Sequence, residues 1–225
     1  MKRAIIIMAK VPFAGTVKTR LQTFLSPEKC AELAWAFLRD AETKAKIVCE
    51  NTILAYAPAD RKIVLENFLR GGNTLVSQIG ATLGERMTNA FEFAFGLDAD
   101  AVLLIGTDSP HVPAASLEQA FELLERDADV VLGKTADGGF YAAGLRKNQP
   151  RLFENVAWSS ERVFRQTARN AARLKLRLAQ IPESFDVDAP PDLALLRAAM
   201  FADETTRRNA PQTHEWLLSN SNLFV

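Results

Sequence analysis

The chain has few of the residues that mark several common functional classes. Its two cysteines, Cys30 and Cys49, and two histidines, His111 and His214, fall in no metal-ligand spacing, which leaves no basis for a zinc cluster and reads most simply as two free thiols. It has no excess of either charge, since 27 basic residues balance 27 acidic ones. No overall field therefore draws it to nucleic acid or to an anionic membrane, and any phosphate site must be local. Long apolar runs are missing too. The opening Met1-Lys-Arg-Ala-Ile-Ile-Ile-Met8 stops at Lys10, short of a signal segment or a membrane span, so it reads as a first strand and the protein as a cytoplasmic one without a membrane span.

What is present is a substantial apolar fraction, 48% of 225 residues, enough for one large core. Short apolar runs alternate with stretches of helical period, which predicts an α/β protein with a mainly parallel central sheet and helices on both faces. Strands are expected at Arg3 to Ala9, Thr52 to Ala57, Asn73 to Ser77, Ala101 to Ile105, Asp129 to Lys134, Phe140 to Leu145 and Leu174 to Ala179. The first helix should start at Ser26-Pro27, a hydroxyl N-cap before a proline at the first helical position. Others fit Arg61 to Arg70, Gly84 to Phe95, Pro113 to Glu125, Ser160 to Ala172 and Asp192 to Met200. Residues 1–225 read as a single domain whose more polar tail, 202–225, is expected either to pack on it or to meet a second subunit in a homodimer.

Four segments carry possible chemistry. Gly106-Thr-Asp108-Ser-Pro110 follows the strongly apolar Ala101 to Ile105 and puts a carboxylate at a strand's C-terminal end, where open α/β sheets bind ligands. A hard oxygen donor there suits Mg²⁺ or Mn²⁺; the plain alternative is a turn-forming aspartate. Lys10-Val-Pro-Phe-Ala-Gly15-Thr-Val-Lys18-Thr-Arg20 follows the first strand and offers a glycine loop, a point charge and a guanidinium fork to phosphate. It matches neither the dinucleotide fingerprint nor a Walker A loop, and a solvated basic loop is the alternative. Asp137-Gly138-Gly139 lies between two strands, either as a tight connection or as a place where backbone approaches a sugar with Asp137 accepting its hydroxyls. In Phe185-Asp186-Val-Asp188-Ala-Pro, alternation directs both carboxylates to one side, so one can approach a metal and the other support it from behind. Gln78 and Glu85 are candidates for the base or ribose, or for capping the helix near Gly84. Trp158 either stacks on an acceptor sugar or packs in the core behind a serine N-cap.

Taken together, Lys18-Thr-Arg20-Leu21, Leu83-Gly-Glu-Arg-Met87, Gly106-Thr-Asp108-Ser-Pro110, Asp137-Gly-Gly-Phe-Tyr141 and Asp186-Val-Asp188-Ala-Pro resemble the small bacterial proteins related to nucleotide-diphospho-sugar transferases, over almost the whole chain. The resemblance implies a GT-A-like three-layer sandwich. Members look like glycosyltransferases, with one branch named for arsenosugar biosynthesis; phospholactate guanylyltransferase and the molybdenum-cofactor nucleotidyltransferases look like more distant relatives. By motif position the divalent ion falls to Asp108, with Asp188 beside it. Two features depart from those relatives: Ser109 and Pro110 replace the second carboxylate of an Asp-x-Asp pair, and Ala9-Lys-Val-Pro-Phe-Ala-Gly15 replaces a glycine-rich Ala-Ala-Gly opening.

The expectation is therefore a Mg²⁺- or Mn²⁺-dependent glycosyltransferase taking a nucleotide-diphospho-sugar and a small-molecule acceptor. Asp108 and Asp188 hold the metal, Asp108 and Asp137 serve catalysis, and Lys10, Gly15, Lys18, Arg20, Gln78 and Glu85 bind the nucleotide. Gly138, Gly139 and Trp158 contact substrate. Two alternatives stay open. One is nucleotidyl transfer from a nucleoside triphosphate to a phosphorylated molecule, with Arg86, Lys134 or Arg162 as a second anion site. The other is a non-catalytic sugar-nucleotide binder.

Overall fold

The computed structural model describes residues 1–68 and 72–224. Among these residues seven strands form one sheet in the order β3-β2-β1-β4-β6-β5-β7. They are β1 (Arg3–Lys10), β2 (Thr52–Ala57), β3 (Asn73–Ser77), β4 (Ala101–Ile105), β5 (Val130–Thr135), β6 (Phe140–Leu145) and β7 (Leu178–Ser184). All run parallel except β6, which pairs antiparallel with β4 and β5. Interleaved with them are α1 (Pro27–Val48), α2 (Lys62–Phe68), α3 (Leu83–Gly96), α4 (Ala114–Arg126) and α5 (Val163–Arg173), and three further helices close the chain: α6 (Pro190–Ala202), α7 (Glu204–Asn209) and α8 (Pro211–Ser219).

The period of two in the strands divides the core. Ile5 and Ile7 of β1 face α1 and α4 in a cluster with Leu38, Ala41, Leu117 and Phe121, while Ile6 faces α3 with Met87 and Phe91. α1 is apolar on a second side as well: Leu33 and Phe37 pack against Leu193, Leu196, Trp216 and Leu217 of α6 and α8. The closing helices thus form a further layer outside α1. The tail expected at 202–225 packs here, Val225 lying outside the described residues.

Most expected elements are present, several to the residue. The helix predicted at Arg61 to Arg70 is α2, with positions 69 and 70 outside the described residues. The last strand differs. It starts at Leu178 rather than Leu174, because Leu174 and Leu176 close α5: Lys175 sits at φ 58°, its N–H reaches Ala172 O, and Leu176 N–H reaches Ala171 O, the paired bonds of a Schellman cap. The alternating leucines therefore mark a cap with its apolar contact. At the other end, α5 starts at Val163 and not Ser160, since Ser159 takes φ 62° and breaks the helical run.

β1 lies between β2 and β4, so the direction in which successive strands are added reverses beside it. Loops leaving β1 and β4 diverge there and open a crevice at the strands' C-terminal ends. Among the described residues no helix is long and apolar enough to cross a membrane.

Candidate functional site

The crevice is a cleft of about 440 Å³, and its floor is the end of β1 and the Gly106-Thr-Asp108 turn after β4. Its walls are the loop Thr16 to Arg20, Phe140 and Tyr141 of β6, and Asp186 and Asp188 from the segment before α6. Of the residues singled out from sequence, Lys10, Lys18, Arg20, Asp108, Asp186 and Asp188 meet here.

The loop from β1 is shaped by Gly15, at φ 78° in a turn closed by Thr16 N–H to Phe13 O at 3.0 Å, and Lys10 Nζ ties its far end by donating to Thr16 O at 2.7 Å. Lys18 itself takes a left-handed conformation, φ 47° and ψ 40°, which few non-glycine residues adopt. From there its ammonium reaches three acceptors: Asp108 Oδ1 at 2.6 Å, Val187 O at 2.7 Å and Asp188 Oδ1 at 3.2 Å. Burial would strip the proton from this lysine, but Asp108 and Asp188 more than reverse the effect and hold its pKa above the ordinary value. Arg20 is exposed, and its guanidinium makes no hydrogen bond or ion pair among the described residues, leaving that fork available to an anion.

Asp108 and Asp188 come from distant segments that are joined directly. Val187 N–H donates to Asp108 O at 2.9 Å, Ser109 Oγ donates to Asp186 Oδ1, and Asp192 Oδ2 accepts from the backbone of Asp188 and Ala189, fixing the start of α6. Asp186 is thereby the inner carboxylate and Asp188 the outer one. Burial pushes Asp186 up to about 7, against the hydrogen bond from Ser109, with Asp108, Asp137 and Asp188 adding repulsion. Nothing in the local sequence signals this asymmetry, because it depends on Ser109 lying opposite.

Asp108 and Asp188 side chains are 44% and 43% exposed, and the second oxygen of each has no hydrogen bond among the described residues. Two free hard oxygens facing one cleft fit a Mg²⁺ or Mn²⁺ ion that completes its shell with water and substrate phosphate. No group of three or more acidic, histidine or cysteine side chains among the described residues makes an all-protein cage.

The other candidates lie elsewhere. Asp137 Oδ1 accepts from Thr135 Oγ1 at 2.6 Å and from Gly139 N–H at 3.0 Å, closing the β5–β6 hairpin. Gly138, at φ 88°, is pressed so closely on the 159–161 turn that an added Cβ would lie 2.2 Å from Glu161 O. Gln78 Nε2 bridges Ala9 O and Ala55 O at the ends of β1 and β2. Glu85 helps cap α3: its N–H donates to the N-cap Thr82 Oγ1, and its carboxylate accepts from Ala81 N–H just before it. Trp158 packs edge-on to Phe140 and against Gly84, and with Glu85 lines a separate hollow of about 590 Å³. Sequence reading also passed over Lys44, whose buried ammonium donates to Pro110 O at 2.8 Å and so holds the Asp108 turn from below. A lysine within the apolar period of α1 was the available signal.

Known proteins share this arrangement of elements. A crystal structure from Desulfovibrio desulfuricans G20, assigned as a nucleotide-diphospho-sugar transferase, is 30% identical and superposes with a TM-score of 0.90 over 99% of this chain and 96% of that one. The phosphoenolpyruvate guanylyltransferase of Sphaerobacter thermophilus is 25% identical over 189 residues, 84% of this chain and 90% of that protein. CMP:2-keto-3-deoxy-manno-octonic acid synthetase, solved with CTP, shares the fold at 12% identity, with a TM-score of 0.57 over 90% of this chain and 99% of that one. The chain's α/β sandwich is thus that of the nucleotide-diphospho-sugar transferases, and, matched by a family model over residues 41–160, it belongs to the family described as "Uncharacterized protein conserved in bacteria (DUF2064)".

Proposed function

We propose that the protein is a divalent-metal-dependent transferase that takes a nucleotide-diphospho-sugar as donor and passes the glycosyl group to a small-molecule acceptor. The observation that carries this reading is the charge layout of the cleft: Lys10, Lys18 and Arg20 along one loop face Asp108 and Asp188. The cations among the lining residues thus lie on one loop, which makes a single basic side to the cleft. None of the groups that would make a second site lines the cleft: Arg86 Nε donates to Gly80 O, Lys134 pairs with Glu183, and Arg162 lies at the start of α5.

In this reading Arg20 grips phosphate oxygens in pairs, Lys10 adds charge at the rim, and Lys18 holds the Asp108–Asp188 pair at its spacing. Those two carboxylates would hold the Mg²⁺ or Mn²⁺, which when bound neutralises charge on the diphosphate leaving group. As the acceptor oxygen bonds to the sugar carbon and gives up its proton to solvent, the bond from that carbon to phosphate oxygen breaks and its electron pair leaves with the diphosphate. Groups fixed beforehand around that oxygen favour the transition state over the bound donor.

A second reading is nucleotidyl transfer, in which an acceptor phosphate attacks the α-phosphate of a nucleoside triphosphate and pyrophosphate leaves. It is favoured by the origin of the two carboxylates, which come from separate segments rather than one Asp-x-Asp pair, and by the Sphaerobacter relative's name. Calorimetric titration of sugar nucleotides, nucleoside diphosphates and triphosphates, with and without Mn²⁺, separates the two. Metal-dependent binding of one sugar nucleotide supports glycosyl transfer, preference for a triphosphate moves the assignment to nucleotidyl transfer, and no binding overturns both. In a turnover assay with the nucleotide so identified, Asp108→Asn, which keeps shape but removes charge, should lower metal-dependent turnover at least about 100-fold, near 2.7 kcal/mol in barrier. Wild-type turnover in that variant would overturn the role of Asp108.

A further inference from the structure

A lysine ammonium has three protons and no acceptor. All three of Lys18 are committed, to Asp108, Val187 O and Asp188, and the side chain is only 6% exposed. The arrangement is specifically built: the backbone of Lys18 is held in the left-handed region, and the ring of Phe37 lies 5.3 Å from its Nζ. No proton is left for a phosphate while this set of bonds persists. A divalent ion added to the same carboxylates would face an ammonium at contact distance, and that repulsion is weakened only by water or by incoming negative charge.

We propose that Lys18 is an internal counter-ion: in the free protein it holds the carboxylate pair in place of a metal, and metal and nucleotide load together. On loading, Asp108 and Asp188 pass to the divalent ion while Lys18 exchanges its longest bond, the 3.2 Å contact to Asp188, for a phosphate oxygen. Phosphate supplies the negative charge that lets both cations stay. This rests on reading Asp108 and Asp188 as the metal pair, and is independent of which group is transferred. By linkage, the nucleotide tightens metal binding by the factor by which metal tightens the nucleotide.

The test titrates Mn²⁺ alone into wild type, Lys18→Met and Lys18→Gln by calorimetry, with thermal melts in parallel, and repeats each titration with ADP, CDP, GDP or UDP. Wild type alone should bind Mn²⁺ with Kd above about 1 mM, and the variants at least about ten-fold more tightly, because a positive charge has been removed beside the site. Mn²⁺ should raise the melting temperature of the variants more than that of wild type. With Mn²⁺ present, the variants should bind a nucleoside diphosphate at least about ten-fold more weakly. Variants that bind Mn²⁺ no better than wild type overturn the proposal. So does micromolar Mn²⁺ binding by wild type alone, which decides the matter even where neither variant folds. A gain of Mn²⁺ binding with no nucleotide bound by any form upholds the counter-ion and removes the transferase reading; nucleotide binding by wild type without that gain does the reverse.

Discussion

Lys44 illustrates how one buried residue links stability to the site. It lies on α1 with a side chain almost wholly enclosed, and its ammonium donates to Pro110 O in the turn that carries Asp108. Burial pushes its pKa down to about 8, with Asp40 one helical turn away opposing the shift. The folded state therefore releases this proton before the unfolded chain does. Between about pH 8 and 10.5 the unfolded state binds more protons, so stability from this group rises with pH across that window and is flat below it. Denaturant unfolding of wild type and Lys44→Met at pH 7.5 and 9.5 checks this: wild type should gain roughly 2 kcal/mol relative to the variant. The comparison matters because Cys30 and Cys49, raised by burial, lose stability over the same range and are common to both proteins.

At the scale of elements, turn glycines separate into two kinds. Gly15 and Gly138 both have positive φ, but a Cβ at Gly15 would meet nothing within 4 Å, whereas one at Gly138 would collide with the Glu161 backbone. Phe164 N–H also donates to Gly138 O at 2.8 Å, so the hairpin tip and the start of α5 form one rigid unit. Gly15→Ala should cost roughly 1 kcal/mol, from backbone conformation alone. Gly138→Ala adds overpacking that only backbone movement can relieve, and should cost roughly 2–3 kcal/mol more. Thermal unfolding of the two variants orders them; equal losses would mean that the hairpin yields easily. The same contact explains why Asp137 serves the turn: its carboxylate is already bonded to Thr135 and Gly139.

For the whole molecule, the closing helices act as an outer layer that completes the core. Asp40 of α1, 1% exposed, accepts from Gln212 N–H at 2.9 Å, Thr213 N–H at 2.8 Å and Thr213 Oγ1 at 2.5 Å, capping α8 from far away in the chain. Trp216 and Leu217 then cover the outer side of α1 around Phe37, the residue whose ring lies beside Lys18. Ending the chain after Ala202 would expose that face and leave Asp40 without its donors. Losing two large apolar side chains alone removes roughly 3–6 kcal/mol. The shortened protein should melt at least about 10 °C lower, measured by circular dichroism. An unchanged melting temperature would show that α8 is an appendage.

Much of this architecture follows from local pattern. Apolar runs place β2, β4 and β6 at the expected residues, the more polar β3 falls at its expected residues too, and Ser26-Pro27 starts α1 as a hydroxyl cap before proline should, with Ser26 accepting from Lys29 N–H. Asp108 stands out because a carboxylate lies in the short turn that follows a wholly buried strand. Other features depend on which distant segments share a volume. Lys18 and Asp188 are 170 positions apart, and the saturation of that ammonium, the burial of Asp186 behind Ser109 and the dispersal of Gln78, Glu85 and Trp158 outside the cleft follow from chain packing. Strand and cap signals arise from neighbouring residues and their steric preferences, so they can be read along the chain. Desolvation and charge pairing are properties of the assembled interior, and that interior made Lys18 the partner of two carboxylates.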